Sequence, residues 1–166
     1  MQIKRDPVDE IMDQWGLLKP ELDRSGMAVV LRVLSLSGTL SERLKGILEP
    51  AGLLPFEFEV LSTLRRSAAN GLTPTELCRS AQLTSGAMTH RLDRLQERGL
   101  VRRRAASTDR RSLLVSLTAK GKRIVDGILG ARMSDASSCL EGLTRSERAE
   151  LARLLRKVNV GVQDVI

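Results

Sequence analysis

One histidine in 166 residues, no glycine-rich phosphate loop, no clustered metal ligands and no supported Ser/His/Asp arrangement leave this chain without the usual materials of an active site. No enzymatic role, metal or cofactor is expected. Its two cysteines, Cys78 and Cys139, have neither metal-ligand spacing nor the pattern of a secreted disulfide framework. Long hydrophobic runs are also missing. The longest, Met27 to Leu36, is interrupted by Arg32 and is too short to span a bilayer. The mixed acidic and basic N-terminus lacks the plan of a signal peptide, so a cytoplasmic location with no membrane association is expected. There are no internal repeats and no low-complexity tracts.

What is present is positive charge. Lys and Arg number 27 against 20 Asp and Glu, a net +7, which favours a polyanionic partner through counterion release. Nucleic acid is the default partner, and an anionic membrane surface is the competitor. With 42% hydrophobic residues the chain can bury one sizeable core but is short for two independent domains. The expectation is a single domain over 1–166, with flanking helices at about 1–54 and 119–166 around a central unit at about 55–118.

Helical spacing of Val8, Ile11, Met12 and Trp15 predicts a short amphipathic helix ended by Gly16 and Pro20. A longer helix follows over Met27–Glu49. Its first half is apolar nearly all round, as expected when more than one face is covered, and it ends at Pro50 and Gly52. Pro55 opens a third helix with Phe56, Val60, Leu61 and Leu64 inward, and Asn70-Gly71 breaks the chain. Thr73-Pro74-Thr75-Glu76 is a capping box with proline at the first helical position, so a short helix starts there and ends near Gln82. The next begins at Thr84 or Ser85 with Met88, Leu92 and Leu95 on one face. Leu100-Val101 leaves through Gly99 into a strand, and Leu113, Val115 and Leu117 alternate as its return partner. Thr118 caps a long helix softened at Gly127 and Gly130. A second capping box, Thr144 with Glu147, precedes the stripe Leu151, Leu154, Leu155 and Val158. The fold class is mainly α with a small β-hairpin wing: a winged helix-turn-helix with N- and C-terminal dimerisation helices.

A helix-turn-helix places its second helix in the DNA major groove. With Met88, Leu92 and Leu95 inward, Gly86 and His90 lie opposite and Ser85, Thr89 and Arg94 on the flanks. Ser85, Thr89 and His90 can exchange hydrogen bonds with base edges, Gly86 admits a close backbone approach, and Arg94 suits a phosphate. The hairpin carries Arg102, Arg103, Arg104, Arg110 and Arg111 with Asp109 as its main acid. Arginine at such a tip can enter the narrow minor groove, and Asp109 can hold it extended. Exposed apolar flanking helices would be costly on a monomer. Packed together as a twofold dimer, they would set two reading helices about 34 Å apart on a pseudo-palindromic operator.

Leu83-Thr84-Ser85-Gly86-Ala87-Met88-Thr89, followed by Asp93-Arg94-Leu95, Gly99-Leu100-Val101 and Asp109-Arg110-Arg111-Ser112 running into Leu113 to Thr118, resembles the MarR family of transcriptional regulators. The resemblance covers almost the whole chain. It implies a homodimeric regulator that binds double-stranded operator DNA, with Asp109 and Arg111 at the wing tip. The chain is similar in particular to the urate-responsive, PecS-type branch, whose extra N-terminal helix carries a tryptophan ahead of a Pro-acidic-Leu-Asp turn. Here these are Trp15 and Pro20-Glu21-Leu22-Asp23. That similarity implies a ligand set of Trp15, Glu59, Arg91 and Arg103, with Glu59 standing where the branch usually has aspartate. By the helical register, Arg91 lies at the boundary between core and surface, where it can face a cleft beneath the reading helix. The implied function is a repressor released from its operator by a urate-like or phenolic anion. Two alternatives share the DNA-binding frame: a thiol sensor working through Cys78 or Cys139, and an architectural protein with little sequence preference.

Overall fold

The computed structural model describes residues 4–67, 71–81, 85–105 and 113–163, and no side chains over 81–87. The chain divides into two compact units, Met1–Pro55 and Phe56–Ile166.

In the first unit, α1 spans Pro7–Leu18 and α2 spans Ser25–Leu48, followed by a single 3₁₀ turn at Glu49–Ala51. Asp6 caps α1 by accepting from the amides of Val8 and Asp9, while the Asp9 carboxylate accepts from the Asp6 amide. Proline at Pro7 costs this first turn no hydrogen bond. The helix runs two residues past Gly16, because a lone glycine lowers helix propensity without breaking a well-capped segment. Gly16 has another use: a side chain there would meet the Arg24 guanidinium at about 3.1 Å. Arg32, the charge within the apolar run, joins α2 to α1 through Asp6 at 2.8 Å and Asp9 at 2.7 Å. Gly52, at φ 58°, ends the 3₁₀ turn in the left-handed region that glycine tolerates.

The second unit holds α3 (Pro55–Arg66), α4 (Pro74–Ala81), α5 (Ser85–Glu97), the strands β1 (Val101–Ala105) and β2 (Leu113–Leu117), α6 (Ala119–Cys139) and α7 (Arg145–Gln163). The strands pair antiparallel with Val101 opposite Leu117 and Ala105 opposite Leu113. Leu72 adds a one-residue third strand, exchanging both backbone hydrogen bonds with Val115. A single residue has no alternation, so nothing in the sequence pattern marks it. The core gathers Val60 and Leu61 of α3, Leu77 of α4, Met88, Leu92 and Leu95 of α5, Val101, Val115 and Val125. At the start of α3 the inward residues are Glu57 and Phe58, while Phe56 sits at the edge of the core. Helix α6 runs unbroken through Gly127 and Gly130. Its essential glycine is Gly121, where a Cβ would stand 2.1 Å from the Leu100 carbonyl oxygen. Thr118 locks the same junction, donating to the Gly99 carbonyl and accepting from the Gly121 amide.

Candidate nucleic-acid interface and effector residues

Helices α4 and α5 with the β1/β2 hairpin form the winged helix-turn-helix. The Thr73 capping box starts α4 as the sequence requires: the Thr73 amide donates to Glu76 Oε2 at 2.7 Å and the Glu76 amide to Thr73 Oγ1 at 3.2 Å. Hydrogen bonds from the Thr73 amide and hydroxyl to the carboxylate hold the Glu76 carboxyl below the usual carboxylate range. In α5 the side chains of Met88, Leu92 and Leu95 are buried, each contributing about 1.5–3 kcal/mol to fixing the helix's rotation. Thr89 and His90 consequently face outward and are exposed. The backbone of Ser85 and Gly86 forms the first turn of α5. The Ser85 side chain and the wing residues Asp109, Arg110 and Arg111 lie outside what the structure describes.

Two acids hold this unit in position, and the sequence assigns a site role to neither. Glu57 of α3 is fully buried and faces Arg94 Nε at 3.3 Å and Arg98 Nη1 at 3.5 Å. Arg94, assigned to phosphate by its register, therefore also ties α5 to α3 while its side chain remains 47% exposed. The signal in the sequence is Glu57 itself, a charge on the stripe shared by Val60, Leu61 and Leu64, with Arg94 and Arg98 one turn apart to receive it. The second acid is Asp93 of α5, which accepts from Arg103 of β1 at 2.6 Å. This pair joins the reading helix to the wing.

The four residues that the resemblance implies for a ligand have separate surroundings. Trp15, on α1, is 45% exposed and lines a hollow of about 200 Å³ in the first unit with Lys19, Leu22, Arg24 and Met27. Glu59 Oε1 accepts from Arg66 Nη2 at 3.1 Å and from Thr63 Oγ1 at 3.4 Å. The acid facing Arg103 is Asp93. Arg91 lays its guanidinium 4.0 Å from the centre of the Phe56 ring, which explains why Phe56 stands at the core's edge. Its Nη1 is shut off from solvent and has no hydrogen-bond partner among the described residues. A buried cationic donor left in that state costs free energy that an anionic ligand would recover. Both cysteines are free thiols, Cys78 half-buried and Cys139 exposed. Among the described residues no group of acids, histidines or cysteines could hold a metal ion, and no helix is long and apolar enough to cross a membrane.

Residues 51–112 match the sequence model of the MarR family. The chain is 28% identical to the HTH-type transcriptional regulator PecS of Dickeya dadantii over 152 residues, covering 91% of this chain and 92% of that one. It is 36% identical to the multiple antibiotic resistance protein MarR of Escherichia coli over 112 residues, covering 67% and 76%. Among solved structures, a mutant of E. coli MarR complexed with operator DNA superposes with a TM-score of 0.66 at 29% identity, covering 87% of this chain and 96% of that one.

Proposed function

The chain belongs to the MarR family of transcriptional regulators, and from that premise we propose that it is a homodimeric repressor that leaves a pseudo-palindromic operator when a small anion binds. The observation that carries the DNA reading is the rotation of α5, with Met88, Leu92 and Leu95 buried and Thr89 and His90 exposed at its leading end. Ser85, Gly86, Thr89 and His90 approach base edges, and Arg94 faces the backbone. Asp109, Arg110 and Arg111 form the wing tip beside the minor groove. The similarity to operator-bound MarR supports this assignment.

Dimerisation covers apolar side chains that are exposed within each unit: Val29, Val30, Leu34 and Leu36 on α2, and Leu151, Leu154, Leu155 and Val158 on α7. The effector reading rests on Arg91, whose buried Nη1 lacks an acceptor among the described residues. A urate-like or phenolic anion supplies one, with Arg103, Glu59 and Trp15 the other residues assigned to it. Arg103 connects the effector to DNA, because an anion that drew it from Asp93 would release the wing from α5.

The test uses a duplex carrying the chain's own promoter, at one fixed salt concentration. Wild type binds it, and Arg111→Ala binds at least tenfold more weakly while staying folded. Urate then quenches the fluorescence of Trp15, the only tryptophan, saturably after correction for its own absorption, and lowers duplex affinity in step. Equal affinity for wild type and Arg111→Ala refutes the wing assignment. No saturable urate binding by calorimetry removes the urate assignment.

A further inference from the structure

A cationic hollow of about 150 Å³ lies wholly within the second unit, with Arg65 of α3, Arg102 of β1, Ser116 of β2 and Lys122 of α6 in its wall. We propose that it binds a small phosphate-class oxyanion, and the assignment is independent of the effector reading above.

The charge balance is the first argument. Of the three cations, only Arg65 has a carboxylate within ion-pair distance among the described residues, Asp126, which it grips with Nε at 2.8 Å and Nη2 at 3.2 Å. That contact holds the Asp126 carboxyl below its ordinary range, and the charge of Lys122 adds to the same effect. Arg102 donates through Nε to Ser116 Oγ at 3.3 Å, which leaves its two terminal amino groups and their four N–H donors available to a ligand. Three positive charges against one negative give the hollow an excess of two.

Placement is the second argument. Arg102 pairs in register with Ser116, one position from the open end of the hairpin and three from Ala105 and Leu113, so about 10 Å of strand separates it from the segment leading to the wing tip. Alternation along β1 puts Arg102 on the strand face opposite Arg103, and it is Arg103 that reaches α5 through Asp93. The hollow is therefore set apart from the surface that carries Thr89 and His90. Gly71, at φ 138°, is part of the same wall, packed so close to the hairpin that a Cβ there would lie 2.7 Å from the Val115 carbonyl oxygen. An oxyanion held there would contact α3, the hairpin and α6 together and favour their folded arrangement by mass action.

Titrating inorganic phosphate into the full-length protein at constant ionic strength, followed by amide chemical shifts and by thermal melting, tests the assignment. Saturable shifts centred on Arg102, Ser116 and Lys122, with a rise in Tm, are expected. Lys122→Gln and Arg102→Gln should each weaken phosphate binding at least tenfold, while Lys157→Gln on α7 should leave it unchanged. The same variants are assayed against a random-sequence duplex to separate free phosphate from backbone phosphate. Loss of duplex affinity with a salt slope smaller by about one, in protein that binds no free phosphate, would assign the hollow to DNA and overturn the proposal. Uniform weak shifts over all basic residues, equal in Lys157→Gln and Lys122→Gln, would overturn it as well.

Discussion

Glu57 is shut off from solvent, and Arg94 and Arg98 stand against its charge. A buried carboxylate without its cations would be several kcal/mol out of balance, and the reverse holds for cations tied to a lost acid. Both arginines keep part of their surface in water, which softens the loss. Glu57→Gln, equal in size and still able to accept, should therefore lower unfolding stability by about 1–2 kcal/mol rather than the larger figure of a fully buried pair. A urea midpoint unchanged from wild type would show that the pair does not hold α5 on α3. The outward direction of Thr89 and His90 was readable from three apolar residues, since a helix's period alone sets which faces oppose. The tethers Glu57–Arg94 and Asp93–Arg103 were not, because each joins two elements whose separation depends on how the whole unit packs. The departure of Phe56 from the inward set has the same origin, the guanidinium of Arg91 arriving from another helix.

The starts of α4 and α7 were the most legible, because a capping box places donor and acceptor within four residues of chain, whereas the Asp6–Asp9 box at α1, with aspartate at both positions, was not marked by that pattern. Asp6, Glu76 and Glu147 each accept hydrogen bonds that favour their ionised form, and each carboxyl is held below its ordinary range. For Asp6 the Arg32 hydrogen bond is the largest cause, for Glu76 the Thr73 amide, and for Glu147 the Thr144 hydroxyl. A folded pKa below the unfolded one stabilises the fold fully above the unfolded value, and that contribution disappears as pH falls through the lower, folded one. The first turns of α1, α4 and α7 should thus begin to fray only below about pH 4, the ordinary carboxylate range. Glu147→Gln isolates the effect at α7, because glutamine can reach back to the Thr144 amide in the same box yet cannot titrate. Amide protection at the α7 start, taken relative to the intrinsic exchange rate at each pH, should fall as wild type is acidified from pH 5 to pH 3 and stay nearly level in the variant. Parallel acid fraying in both proteins would place the sensitivity outside the cap. Helix interiors were less legible: Gly16, Gly127 and Gly130 read as weak points, but a glycine's local cost is small beside the hydrogen bonds on either side.

At the scale of the molecule, the sequence carried the order of helices, hairpin and helices because apolar period and capping chemistry are local. It could not carry the approach of Gly121 to Leu100, which exists only once α6 closes against the hairpin's end. What local pattern and packing both leave open is the apolar surface of α2 and α7. Leu151, Leu154, Leu155 and Val158 on α7 each leave between 39% and 47% of their surface exposed, and a second copy covering them would gain roughly 1 kcal/mol per side chain. Two α7 helices contribute to such an isologous interface, so that one stripe is counted twice. Ending the chain after Gly142 removes the stripe with its helix and should abolish the dimer and operator binding together. Since truncation also removes the Arg148 donors that satisfy the Leu140 carbonyl at the end of α6, Leu154→Glu in the intact chain is the cleaner measurement. It leaves the Thr144 cap and those hydrogen bonds in place and sets two like charges into the proposed seam. Sedimentation should show a monomer with native helical content, and affinity for a two-half-site duplex should fall at least a hundredfold toward that for one half-site. A Leu154→Glu dimer with undiminished duplex affinity would place the interface elsewhere, and the unpartnered α2 surface would then be the remaining candidate.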